Sequence, residues 1–160
     1  MSDQKKLAII ATKGSLDWAY PPFILASTAA ALGYETQIFF TFYGLQLLRK
    51  KLHLEVTPLG NPGMPMPMGM DKWFPVLGTA LPGMQSMMTA MMKKKMKDKG
   101  VASIEELREL CQEAEVKLIA CQMTVDLFDM NPAEFIDGVE YAGAAAFFEF
   151  AGESDICLYI

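Results

Sequence analysis

Short apolar runs of strand length alternate with helix-length segments along this chain, and that alternation restricts its fold more than any other feature. Residues 7–12, LAIIAT, form an apolar run ended by Lys13-Gly14 and read as a buried parallel strand. Ser15 and Asp17 are candidate caps for a following helix. Pro21-Pro22 leaves two readings, a helix that begins near Pro21 or one that kinks there; in both, residues 23–32 are helical and Gly33 caps them. Residues 35–41, ETQIFFT, read as a second strand. Residues 43–51 read as a short helix with Leu45, Leu48 and Leu52 on one side, and residues 53–57, HLEVT, as a third strand. Parallel neighbours need crossover connections, so this order predicts a parallel sheet with helices on both faces.

The alternation stops at Pro58. Residues 58–83 are rich in Met, Pro and Gly and cannot form one regular element, so they read as an irregular insertion: a lid or partner-docking surface, or a loop under an oligomer contact. Residues 84–97 resume helical spacing with Met84, Met87, Met88, Met91 and Met92 as a core stripe, and the lysines from Lys93 onward complement the helix C-terminus. Ser103 and Glu106 form a capping box that opens a helix over 103–115. Residues 116–120 are the next strand, ending at Cys121. A short helix over 122–130, a turn at Asn131-Pro132, a helix over 143–151 and a buried strand over 155–160 complete the pattern. The expected fold is a single α/β domain over residues 1–160, a three-layer sandwich whose five-stranded, mainly parallel sheet carries helices on both faces.

Composition narrows the function classes. An apolar fraction of 52% with 21% charged residues leaves apolar surface for other subunits, so a homo-oligomer is expected. The net charge of −5 argues against nucleic-acid binding, which needs a clustered basic face. The N-terminal MSDQKK precedes too short an apolar run for a secretory signal, and the apolar stretch at 73–84 is broken by Pro75, Gly78, Pro82 and Gly83. The expectation is a cytoplasmic protein without a membrane span.

The chemistry is narrowed in the same way. His53 is the one histidine, at the start of an expected strand, which leaves little for a catalytic Cys-His or Ser-His-Asp set. Neither GxxxxGK[ST] nor GxGxxG occurs, and no His and Cys cluster has zinc-ligand spacing, so no cofactor and no metal are expected. Thiol chemistry remains. Cys111 shares a helix face with Ile104, Leu107 and Ala114 and reads as an apolar core residue. Cys157, within ICLYI, reads as a buried strand residue or as an assisting thiol.

Cys121 differs by position. Open α/β sheets bind ligands at the carboxyl ends of their strands, and Cys121 ends a strand directly before a helix. Unpaired amides of the first helical turn, from Gln122, Met123 and Thr124, can stabilise a thiolate there without a histidine. The loops after the first two strands, Thr12 to Ser15 and Thr41 to Gly44, should converge on the same edge. Lys13 would attract an anionic sulfur species, and Ser15 and Thr41 would hydrogen-bond it.

The stretches LAIIATKGSLDWAYPPFILASTAAALGYETQIFFTFYGL, EVKLIACQMTVDLF and IDGVEYAGAAAFFEF resemble the DsrE family of sulfurtransferase-like proteins, of the DsrE/DsrF/DsrH-like group. The resemblance implies a parallel sheet between helices, assembly into oligomers, and a cysteine after the fourth strand, matching Cys121, that holds sulfur as a persulfide or thiosulfonate. In some relatives a second cysteine matches Cys157. It also implies a rhodanese-like sulfur donor and a TusA-like carrier as partners. The function expected is therefore a sulfur carrier or sulfurtransferase rather than an efficient stand-alone enzyme. The competing readings are a redox-active or peroxiredoxin-like thiol protein, with a Cys121–Cys157 disulfide, and a non-enzymatic binding scaffold. The order of elements places those two cysteines at opposite sheet edges, which argues against that disulfide within one subunit.

Overall fold

The structure is a computed structural model that describes residues 4–57 and 81–160. Most of the irregular insertion expected at 58–83 lies outside the described residues. The chain falls into two compact units: Met1–Gly14 with Trp18–Leu52 and Ser103–Ile160, and Ser15–Asp17 with His53–Ala102.

The first unit is built on five strands, β1 (Lys6–Ala11), β2 (Glu35–Phe40), β3 (Lys117–Cys121), β4 (Glu140–Ala142) and β5 (Ile156–Tyr159). They form one sheet in the order β4-β3-β2-β1-β5, with every pair parallel. The chain steps from β1 outward to β4 and then returns to β5 at the other edge. Because parallel crossovers are right-handed, that reversal puts the connecting helices on opposite faces. On one face lie α1 (Leu16–Ala31) and α3 (Ile104–Glu113): Phe23 of α1 meets Phe40 of β2 with ring centroids 5.9 Å apart, and the Cys111 thiol of α3 donates to the Phe23 carbonyl. On the other face α5 (Ala144–Ala151) lays Phe147 against Phe39, with centroids 5.0 Å apart, over Ala8, Ile119 and Cys121. The three-layer α/β sandwich is as the sequence implies.

Several local readings hold. The capping box is complete, with Ser103 Oγ accepting from the Glu106 amide and the Glu106 carboxylate accepting from the Ser103 amide. Gly33 ends α1 at φ 87, a left-handed conformation that suits glycine. Both prolines at Pro21-Pro22 lie inside α1, so the helix does not begin near Pro21.

Four local readings need correction. Residues 53–57 are not a strand, and the fifth strand is the three-residue β4, too short to show a periodic pattern. The helix expected at 43–51 is a 3-10 helix, Phe42–Leu48, which buries Leu45, Leu47 and Leu48. β5 is an edge strand, so Ile156, Cys157 and Tyr159 are exposed where an apolar run suggested burial. The methionine stripe is not core.

The last correction, like the missing strand, belongs to the second unit. Its helix α2 (Met84–Asp98) buries only Thr89 among its residues; Met84, Met88 and Met92 are half-buried, and Met87 and Met91 are exposed. Residues 53–57 are extended, but their partners are helix ends and side chains. The Leu16 amide donates to the Glu55 carbonyl, the Val56 amide to Thr89 Oγ1, the Thr57 amide to the Asp17 carboxylate, and Gln85 Nε2 to the Val56 carbonyl. Buried backbone groups must be paired, and here α1 and α2 supply the pairing that a sheet would otherwise give.

Candidate functional site

β3 runs straight into α4 (Gln122–Leu127), and Cys121 is both the last strand residue and the N-cap of that helix, with φ −66 and ψ 111. Its register partner on β4 is Ala142, and the next residue, Gly143, is the N-cap of α5. Two helices therefore begin beside this position. Ala11, Phe40 and Ala120 share a register row, so one residue further on Thr12, Thr41 and Cys121 line up at the carboxyl edge, strand by strand at about 4.8 Å spacing. The Cys121 side chain is 5% exposed and belongs to the apolar cluster under α5 with Phe39, Ile119 and Phe147.

The loop beside Cys121 is held tightly. Thr41 Oγ1 and Thr124 Oγ1 lie 3.1 Å apart, the Phe42 amide donates to Thr124 Oγ1 at 3.4 Å, and Thr124 is fully buried. Phe42 adopts φ 49, a left-handed conformation that bulky residues avoid, and this strain is sustained by the contacts around it. Two glycines make the close approach of the loops feasible. A Cβ on Gly44 would collide with the Ala11 carbonyl, and one on Gly14 with the Tyr43 carbonyl. At the far end of the same 3-10 helix the buried Arg108 guanidinium donates to the carbonyls of Leu47 and Arg49 at 2.9 and 2.8 Å. Burial holds Arg108 below the ordinary arginine value, and its two carbonyl partners satisfy a cation that lacks a carboxylate hydrogen bond among the described residues.

The residues singled out from the sequence thus divide. Cys121, Thr41 and Thr124 come together; Gln122 and Met123 follow on α4, exposed, with Gln122 Nε2 donating to the Asp126 carboxylate. Lys13 also stands at the carboxyl edge, but its ammonium lies over the Trp18 ring, 3.2 Å from the centroid, a cation–π contact. Ser15 belongs to the second unit, where its hydroxyl meets Thr57 Oγ1 at 3.3 Å. Cys157 pairs with Ala8, in the same row as Gln37 and Lys117. It is three strands and four residues away from Cys121, about 20 Å by strand spacing and rise, far beyond the roughly 7 Å Cα limit for a disulfide. Cys111 is fully buried, and burial pushes its thiol up to about 12.

Leu127 and Phe128 were not singled out, yet both are exposed at the end of α4, and Phe128 stacks on Tyr43 and meets Phe42 edge-on. The spacing of Met123 and Leu127, four residues apart on one helix face, was the available signal. Among the described residues no group of three or more His, Cys, Asp or Glu could hold a metal ion, and no helix is long and apolar enough to cross a membrane.

Comparison with known proteins agrees with this architecture. The sequence model of the DsrE/DsrF/DrsH-like family matches residues 3–159. The chain belongs to that family. A family relative from Allochromatium vinosum, named sulfur carrier protein DsrE2, is 92% identical over 158 residues, covering 99% of both chains. An uncharacterised Bacillus subtilis protein, YrkE, is 36% identical over 167 residues that span all of both chains. The crystal structure of the ychN protein from E. coli aligns with a TM-score of 0.56 at 12% identity, covering 98% of this chain and 100% of that one, and shows the shared fold.

Proposed function

We propose that this protein is a sulfur carrier that holds sulfane sulfur on Cys121 and passes it between protein thiols. The observation that carries the reading is the 92% identity, over nearly the full chain, to a protein named a sulfur carrier. Cys121 is assigned the role because it ends β3 at the carboxyl edge of the sheet, as the N-cap of α4 and beside Gly143, the N-cap of α5, with its side chain accepting no capping hydrogen bond from the α4 amides. Cys111 is deep in the core and Cys157 lies at the other end of the sheet.

In the proposed step the Cys121 thiolate attacks the outer sulfur of a donor persulfide R–S–SH. The donor S–S bond breaks, R–S⁻ leaves with the electron pair, and Cys121–S–SH forms with the proton kept on the transferred sulfur. An acceptor thiolate then attacks that outer sulfur, which regenerates the Cys121 thiolate and leaves the acceptor as a persulfide. No net oxidation occurs. Thr41 and Thr124 hold the loop that flanks the thiol, and Lys13, Ser15, Gln122 and Met123 are secondary candidates for contact with the sulfur species. A rhodanese-like donor and a TusA-like acceptor fit this chemistry, in a cytoplasmic setting that keeps the thiols reduced. The exposed apolar residues of β5 and α5, including Tyr159 and Phe148, fit assembly into a homo-oligomer.

Intact-mass measurement after incubation with inorganic polysulfide tests the proposal. Wild type, Cys111→Ala and Cys157→Ser are expected to gain sulfur and Cys121→Ser to gain none. Unchanged loading of Cys121→Ser would overturn the assignment.

A further inference from the structure

The carboxyl edge beside Cys121 is lined by five exposed apolar side chains: Phe42, Tyr43, Met123, Leu127 and Phe128, each between 40 and 65% exposed. Solvent is an expensive environment for such a group, and monomeric proteins rarely keep large contiguous apolar patches without a use for them. The arrangement is also fixed. Tyr43 stacks on Phe128 with centroids 6.0 Å apart, Phe42 meets the same ring edge-on at 6.1 Å, and the Thr41–Thr124 hydroxyl contact ties the loop to α4. Phe42 presents its ring there from a left-handed backbone conformation.

We propose that these five side chains form a docking collar for the apolar face around the cysteine of a sulfur-exchanging partner protein, a reading that rests on Cys121 as the carrier residue. The size of the collar decides between occupants. At these exposures it offers about 500 Å² of apolar surface, taking a large side chain as roughly 200 Å². A stable interface, including one with a second copy of this chain, needs about 800 Å² per partner, whereas transient encounters fall below that. A relay partner must arrive, exchange one sulfur and leave, so a small apolar contact suits it. It would bring the partner's sulfur to a thiol that is itself nearly buried, and small persulfides would gain nothing from it.

The test compares two donors at equal concentration: a rhodanese carrying a persulfide made from thiosulfate, and glutathione persulfide. The proteins are wild type, the double variant Leu127→Ser/Phe128→Ser, and the single variant Tyr43→Ser. Wild type is expected to load faster from the protein donor, and the variants to lose about ten-fold of that rate while loading from glutathione persulfide as wild type does. Tyr43→Ser, at an exposed position, guards against a folding defect in the double variant. Wild type loading no faster from the protein donor, variants that keep the protein-donor rate, or variants that lose both rates together would each overturn the collar. A sedimentation shift from oligomer to monomer in the variants would overturn it in favour of a contact between copies. Failure of wild type to load from either donor would instead remove the carrier reading beneath it.

Discussion

Cys121 and Cys157 occupy opposite ends of one sheet, and their surroundings differ in every respect that matters. At the carboxyl edge, β3 has a strand on each side, the loops after β1 and β2 touch backbone to backbone through Gly14 and Gly44, and Cys121 is almost fully buried. At the amino end of β5, Cys157 is exposed on a strand that, among the described residues, has a neighbour on one side only. There the ties are ionic and at the surface: Lys6 bridges Glu153 at 2.8 Å, which raises the lysine and lowers the carboxylate. Accessibility alone favours Cys157 as the reactive thiol, whereas architecture favours Cys121. The proposed assignment of Cys121 therefore rests on place in the sheet more than on exposure.

The most forceful way to break this contrast is the loading of the two serine variants described above, where Cys121→Ser should lose all loading and Cys157→Ser none. Next in size is a backbone test. Gly44→Ala would drive its Cβ into the Ala11 carbonyl and displace the loop, a loss of about 2–4 kcal/mol in a denaturant titration, while Ile156→Thr on the exposed end of β5 should cost about 0.5 kcal/mol or less. Equal costs would mean that the two ends are equally tolerant. Arg108→Met removes the donor to two carbonyls that stabilise the loop framing the site, and should cost about 2–3 kcal/mol by the same measurement.

The smallest effect at ordinary pH concerns Cys111. Its thiol is raised by burial to about 12, so folding favours the neutral form. That contribution is fully present below the ordinary cysteine range, about 8.5–9, and is lost as pH rises toward 12. Wild type should therefore weaken over this alkaline window more than Cys111→Val does, in urea midpoints taken across pH. Parallel slopes would show that Cys111 does not report core burial. At pH 8, iodoacetamide should label Cys157 in the native protein and reach Cys111 only on unfolding.

Much of this was legible from residues alone. The capping box at Ser103 and Glu106, the left-handed Gly33 and the core face of Cys111 all follow from local chemistry with short-range partners, and each is found. Cys121 was placed at a strand end for the same reason. What misled were readings of strand pairing and burial that depended on neighbours distant in sequence. HLEVT has strand composition, but Asp17, Gln85 and Thr89 take its backbone groups. ICLYI is as apolar as a central strand but lies at the edge, and the α2 methionines have core spacing without core burial.

The sequence by itself determined the strand-to-helix alternation, and with it the parallel α/β architecture and the placing of Cys121 before a helix, because periodicity and capping act over a few residues. Tertiary structure alone decided the strand order, and so that Cys121 is covered while Cys157 is exposed. It also decided the strained Phe42, the glycine contacts between loops, and the exposed ring cluster beside Cys121. These depend on which segments meet in space, and the apolar pattern of one segment carries no record of the others it will touch.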